Sequence, residues 1–207
     1  MAQNNNELTK VQLSATSYYL QGTIPGDICP KWDDMIKLKP AEKGKVVILG
    51  KEIDTPRYSA HYMKPYYYTG KEHDAKDLPQ VLQPFLNWTN ELLKSGIFGD
   101  EMKNMEFNQA LMNFYMEGSH YIGKHSDNEK QLISGSPVFS ASFGEIRTFR
   151  IRDKNGDIIN DIQMHDCTYI IMCGNMQKEF THEVPKVTGE KGLKMGPRIN
   201  ITFRVFK

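Results

Sequence analysis

Little in this chain departs from an ordinary globular composition, and each shortage excludes something. The longest unbroken apolar run, Tyr169–Cys173, is far below the roughly twenty residues of a membrane-crossing helix. Met1–Lys10 is polar and lacks an apolar core segment, so no secretory signal is expected. Cysteine is scarce: Cys29, Cys167 and Cys173 are an odd set without C-x-x-C spacing. Cys167 and Cys173 fall in an apolar stretch and read as inert buried thiols, pointing to a reducing compartment, nucleus or cytoplasm. A charge of one sign is missing too. The 26 basic and 25 acidic residues leave a net charge of +1, so any nucleic-acid contact must rest on a local patch. No repeat is visible. What remains is 207 residues with 39% hydrophobic content, enough for one domain with a substantial core.

Residues 1–15 read as a flexible N-terminus and 16–207 as a single domain. Ile24-Pro25-Gly26-Asp27 reads as a turn into a helix over Asp27–Leu38, with Asp27 as N-cap. Val46–Leu49 reads as a strand. The stretch Thr55–Gly70 is rich in tyrosine. Pro79–Ser95 carries apolar residues at helical spacing, and Gly96 suits the position just past the helix end. From Phe107 onward short strands alternate with turns, and Asn155-Gly156 between Phe149–Ile151 and Ile158-Ile159 signals a hairpin. The pattern predicts an α+β, mainly β protein: a jelly roll over about 105–207, braced by N-terminal helices.

The last strand, Arg198-Ile199-Asn200-Ile201-Thr202-Phe203-Arg204, alternates strictly, so Arg198, Asn200, Thr202 and Arg204 share one face. Such a face either turns to water or lines a pocket, where guanidinium forks grip carboxylates. Upstream, His125 and Asp127 lie two apart and point the same way on an extended segment; His182 follows after a long separation. Two imidazoles and a carboxylate on neighbouring strands form the facial triad of non-haem Fe(II) sites. Each of these residues, alone, reads equally as polar surface or a satisfied core histidine. His61, His73, His120 and His165 keep that plainer reading.

Together these residues resemble the AlkB family of Fe(II)- and 2-oxoglutarate-dependent dioxygenases, which dealkylate nucleic-acid bases. The resemblance extends over Phe107–Tyr115, His125–Glu129, Ser136–Gly144, Arg147–Arg152, Met164–Gly174 and His182–Pro185, and upstream over Gly50–Glu52, Thr55–Arg57 and Tyr66–Gly70. It departs at Phe180, where family members often carry Trp, and at Tyr68, where some DNA-repair members carry Phe.

The resemblance implies a double-stranded β-helix with a nucleotide-recognition lid at about 50–75. It implies iron held by His125, Asp127 and His182. It places 2-oxoglutarate on Asn113, Tyr115, Arg198, Asn200 and Arg204, with Arg198 at the distal carboxylate and Arg204 near the metal, orienting Asp127. The implied reaction hydroxylates an N-alkyl carbon while decarboxylating the cosubstrate; collapse of the hemiaminal releases formaldehyde from a methyl group, with succinate and CO2. For the substrate, alkylated DNA or RNA, it implies Tyr68 stacked on a flipped base, Tyr66 and Arg57 in the lid or at a phosphate, and Glu129 at the exocyclic nitrogen. Plain packing remains open for the tyrosines and a solvated carboxylate for Glu129. Lys186, Lys191 and Lys194 either grip phosphates or form a solvated loop. The expected form is a monomer without membrane contact. Two other readings stand beside this one: the same oxidant acting on a protein or small molecule, since fold and oxidant do not fix the target, and a non-catalytic nucleic-acid-binding module.

Overall fold

Period-two alternation along the chain resolves into two antiparallel sheets facing one another. The computed structural model describes residues 8–48, 50–68 and 71–207, and the side chains of all of these except 48, 66–68 and 71–73. In chain order the elements are β1 (Thr9–Gln12), β2 (Ser17–Thr23), α1 (Trp32–Ile36), β3 (Lys45–Ile48), β4 (Lys51–Asp54), β5 (Tyr58–Met63), β6 (Tyr66–Tyr68), β7 (Lys71–His73) and α2 (Gln83–Lys94). Then follow β8 (Gln109–Tyr115), β9 (Ile122–His125), β10 (Val138–Gly144), β11 (Arg147–Arg152), β12 (Ile158–Met164), β13 (Thr168–Gly174), α3 (Met176–Glu179), β14 (Thr181–Val184), α4 (Gly189–Leu193) and β15 (Arg198–Arg204). The major sheet has the order β1-β2-β13-β10-β15-β8-β5 and the minor sheet β12-β11-β14-β9; β3–β4 and β6–β7 form separate ribbons.

The two faces of the major sheet have opposite tasks. Phe139, Ala141 and Phe143 of β10, Ala110, Met112 and Phe114 of β8, and Ile199, Ile201 and Phe203 of β15 point outward and bury against α2 through Leu86, Leu93 and Phe85. Phe85 is fully enclosed and meets Phe139 and Phe143 edge-on at 5.8 Å, a favourable aromatic geometry. The other face looks at the minor sheet. There Val138, Ile170 and Met172 pack with Phe149, Ile151, Met164 and Phe180, so Phe180 occupies an ordinary core position. This apolar half of the interior leaves the remainder free to be polar.

Several expectations shift in detail. Thr9–Gln12, within the stretch expected to be flexible, pairs as an edge strand with Tyr18–Gln21. The first helix is only Trp32–Ile36, and Lys31 rather than Asp27 caps it. Asp27 lies in a turn closed by the amides of Ile28 and Cys29 donating to the Pro25 carbonyl, and Pro30 has no N–H with which to continue a helix. The long helix forms as expected, its first turn tightened over Gln80–Leu82, and Gly96 follows it at φ +91°. β5, inside the stretch expected as a lid, is an edge strand of the major sheet beside β8. The Asn155-Gly156 turn joins β11 to β12 as expected.

The cysteines require a correction. Cys29 and Cys167 are joined in a disulfide with a Cα–Cα distance of 6.2 Å. Cys167 is thus not an inert thiol, and the compartment inferred from unpaired cysteines loses its basis. The pairing is invisible in sequence because 138 residues separate the partners. Only Cys173 is a free, buried thiol, pushed up to about 12 by burial. Among the described residues no helix is long and apolar enough to cross a membrane.

Candidate metal and cosubstrate site

The inward face of the major sheet presents the polar positions of its central strands. β15 is flanked by β10 and β8, with Arg198 opposite Tyr115, and Asn200 opposite Asn113 and Ser142. A strand enclosed on both sides cannot turn its polar face to water, and every residue from Arg198 to Arg204 is buried. The ambiguity of that face in the sequence is therefore resolved in favour of a pocket. Its walls are Asn113, Tyr115, Arg198, Asn200, Thr202 and Arg204 from the major sheet, and Ile122, His125, Phe149 and His182 from the minor one.

At one end, the donor atoms of His125, Asp127 and His182 lie within 4.8 Å of one another. The register explains the convergence: β14 pairs with β9 so that His182 sits opposite His125, and Asp127 follows two residues beyond. The imidazoles approach with centroids 4.4 Å apart, and His182 stacks on Phe149. His125 Nδ1 donates to the Gly123 carbonyl at 2.9 Å, which leaves Nε2 as its free lone pair. Asp127 Oδ1 accepts from Arg204 Nη2 at 2.7 Å, while Oδ2 is buried with no hydrogen-bond partner. An orphaned carboxylate oxygen beside two imidazole nitrogens is a donor set that fits a divalent transition metal.

The electrostatics agree. Burial pushes His182 down to about 3, with His125 adding to the effect, and burial likewise lowers His125. Both rings are therefore neutral and able to ligate near neutral pH. Burial raises the Asp127 carboxyl, but Arg204 above all, then His182 and His125, bring it down to about 2. Gln177 of α3 accepts from the Asp127 amide at 2.8 Å and so fixes the backbone beneath the carboxylate.

The pocket's other end is cationic. Arg198 donates from Nε to Ser142 Oγ at 2.8 Å and lies 5.1 Å from the Tyr115 ring; its Nη1 is buried without a partner. Burial lowers its pKa to about 10. An unmatched guanidinium N–H facing a pocket requires an anion to compensate it. Asn113 Oδ1 accepts from Arg57 Nε at 2.7 Å and Ser59 Oγ at 3.0 Å, leaving its amide nitrogen to donate inward. Asn200 is more committed. Its amide nitrogen donates to Ser140 Oγ and the Ala141 carbonyl, and its oxygen accepts from Thr202.

The other substrate candidates divide. Arg57 is buried on Asn113 rather than placed in an outer lid. Glu129 is half-buried beyond the metal cluster. The side chains of Tyr66 and Tyr68 lie outside the described residues. Lys186, Lys191 and Lys194 are exposed on the segment around α4, with Lys194 paired to Glu190. Gln109, Ser140, Ser142 and Gln177 escaped the sequence reading. The first three were findable, since they share strand faces with Asn113, Asn200 and Arg198; Gln177 comes from a single helical turn that has no periodicity to read.

Comparison with known proteins settles the family. Residues 36–204 match the model of the 2OG-Fe(II) oxygenase superfamily. The chain belongs to that superfamily. Within it the chain is homologous to AlkB proteins. It is 34% identical over 161 residues to the mouse alpha-ketoglutarate-dependent dioxygenase alkB homolog 3, covering 72% of this chain and 51% of the relative. It is 28% identical over 169 residues to the mouse DNA oxidative demethylase ALKBH2, covering 77% and 66%. The chain thus spans about half to two thirds of these relatives' lengths. The solved structure of OsALKBH1 superposes with a TM-score of 0.56 at 18% identity, over 95% of this chain and 99% of that one, which supports the jelly-roll fold. Family and donor set together identify Fe(II) as the metal and 2-oxoglutarate as the cosubstrate.

Proposed function

We propose that this chain oxidatively removes alkyl groups from N-alkylated bases of DNA or RNA, releasing formaldehyde from methyl groups together with succinate and CO2. The observation that carries this reading is a His–Asp–His cluster, two of its members buried, sharing one pocket with a guanidinium that no carboxylate of the described residues meets and whose Nη1 is unmatched. The kinship to a DNA oxidative demethylase supports the choice of substrate.

In this proposal His125, Asp127 and His182 hold the iron, which supplies oxidation of the alkyl carbon when cosubstrate and oxygen are present. Arg198, with Tyr115 beside it, binds the distal carboxylate of 2-oxoglutarate, and Asn113 donates to the same molecule. Asn200, its own donors committed to β10, holds that wall in shape. Arg204 fixes the rotamer of Asp127 and adds positive charge near the proximal carboxylate. On the substrate side Tyr68 stacks on the extruded base, Tyr66 flanks the entrance, and Glu129 accepts from the exocyclic nitrogen, while Arg57 holds Asn113 from behind. Poorly paired alkylated bases are the cheapest to extrude.

The test is succinate and formaldehyde formation with methylated single-stranded DNA, duplex DNA and RNA, with and without Fe(II). Succinate coupled one-to-one with methyl loss supports the reading; turnover confined to proteins or metabolites would sink it. Asp127→Ala should abolish turnover. Tyr68→Ala should weaken oligonucleotide capture about 5- to 150-fold, the equivalent of roughly 1–3 kcal/mol of stacking, and leave a free nucleoside less affected. The enzyme is proposed to act as a monomer in the nucleus or cytoplasm. The Cys29–Cys167 bridge runs against that location, because disulfides are rare there; counting free thiols in protein quenched directly from cells decides the point.

A further inference from the structure

Arg147, at the start of β11, is among the most deeply buried side chains of the protein. The other arginines of its strand pair with carboxylates, Arg150 with Asp161 and Arg152 with Glu183. Arg147 donates hydrogen bonds only to backbone carbonyls. Its Nη2 donates to His120 and Pro185 at 2.8 Å and, more weakly, to Gly118 at 3.5 Å, and Nη1 donates to Glu117 at 3.3 Å. Its Nε is buried with no partner. Glu145 acts on it only through space. A buried cation without a contacting carboxylate is costly, and an apolar residue of similar volume could fill that space at no such cost.

What the position offers is proximity to Tyr115. The guanidinium carbons of Arg147 and Arg198 lie 5.6 Å and 5.1 Å from that ring's centroid. Tyr115 and Arg198 line the pocket, but Arg147 does not. Two buried positive charges therefore share one tyrosine, only one of them lining the pocket, and the charge of Arg147 disfavours that of Arg198. An anion arriving at Arg198 relieves both. The carbonyls that Arg147 gathers come from the turn before β9 and the residue after β14, the two strands that carry His125 and His182. Its fork thus also fixes how those strands meet behind the pocket.

We propose that Arg147 is a positioning residue that makes the pocket selective for a dicarboxylate: it holds Tyr115 against Arg198 and adds a second uncompensated positive charge at that end. This rests on the reading of 2-oxoglutarate as cosubstrate. The test measures binding by calorimetry to protein loaded with Mn(II) in place of Fe(II), so that no turnover intervenes. The probes are 2-oxoglutarate and 2-oxovalerate, the same chain ending in a methyl group instead of the distal carboxylate.

Arg147→Met should weaken 2-oxoglutarate binding about tenfold or more, about 1.4 kcal/mol, and leave 2-oxovalerate within about twofold. Arg147→Lys, which keeps the charge and loses the fork, should retain most of the preference for the dicarboxylate and serves where the Met variant does not fold. Equal weakening of both acids, or no change in either, overturns the proposal and leaves Arg147 a structural brace. If wild-type protein fails to bind 2-oxoglutarate at all, the cosubstrate reading itself falls, and this proposal with it.

Discussion

The Asp127–Arg204 contact offers the sharpest test of the site in the metal-free protein. Both side chains are at most 4% exposed and meet at 2.7 Å. Arg204→Met keeps the volume and removes the charge. The Asp127 carboxylate is then buried without its cation, and breaking a buried pair from one side costs about 3–5 kcal/mol. For a chain of this size that corresponds to roughly 6–20 °C in Tm. The variant can escape the penalty only by binding a proton, at Asp127 or on an adjacent imidazole. Its native state then holds more protons than the unfolded chain, whose carboxyl titrates near 3.9, so its deficit relative to wild type should shrink as pH falls, by up to about 1.4 kcal/mol per unit. Asp127→Asn alone takes from Arg204 its contacting carboxylate and leaves its bond to Gln109 Oε1. The double variant removes both charges and should lose less stability than the two single losses added together, with a coupling of about 1–3 kcal/mol. Urea denaturation of the four proteins in EDTA at pH 6 and pH 8 measures this. Additivity within about 0.5 kcal/mol, or a deficit independent of pH, would refute the claim that charge rather than packing joins these residues.

Three further expectations follow from other parts of the molecule. The depressed pKa of His182, about 3 against an ordinary value near 6.5, means that protons favour the unfolded chain; metal-free protein should hold its full share of this stability above pH 6.5 and lose it progressively towards pH 3, and His182→Gln should flatten that part of the denaturation profile. Gly118→Ala would set a Cβ 2.5 Å from the Gly192 backbone, and since neither backbone can swing aside the loss should exceed about 1 kcal/mol, visible as a lower urea midpoint at unchanged slope. Reducing the Cys29–Cys167 bridge should cost about 2–5 kcal/mol; a native thiol assay should find no reactive cysteine, denaturation without reductant should expose only Cys173, and two or more titratable thiols before reduction would contradict the pairing.

The parts of this protein legible in its sequence are those that local periodicity can encode. The alternation of β15, the helical spacing of α2 and the Asn155-Gly156 turn are each written within a dozen residues and each took the expected form, whereas the strand alone left open whether its polar face met water or a pocket. The metal cluster was legible for a different reason. His125 and Asp127 are tied by their spacing of two, although the strand ends at His125, whereas His182 became assignable only through the ordered motifs around it. Register is what the chain hides. Nothing near His182 states that it will face His125 rather than a neighbour; that follows from how β14 is gripped between β9 and β11, where Glu183 meets Arg152 and His182 lies opposite Ile151. The same blindness explains Arg57, read as an outer lid residue because its segment is rich in tyrosine, yet drawn inward when β5 joins the edge of the major sheet and Asn113 accepts its Nε. It also explains Cys29 and Cys167, each ordinary in its own neighbourhood. Long-range pairing turns an alternating face into a pocket: β15 lies between β8 and β10, which denies its arginines water, and an arginine denied water in an enclosed pocket has use only for an anion.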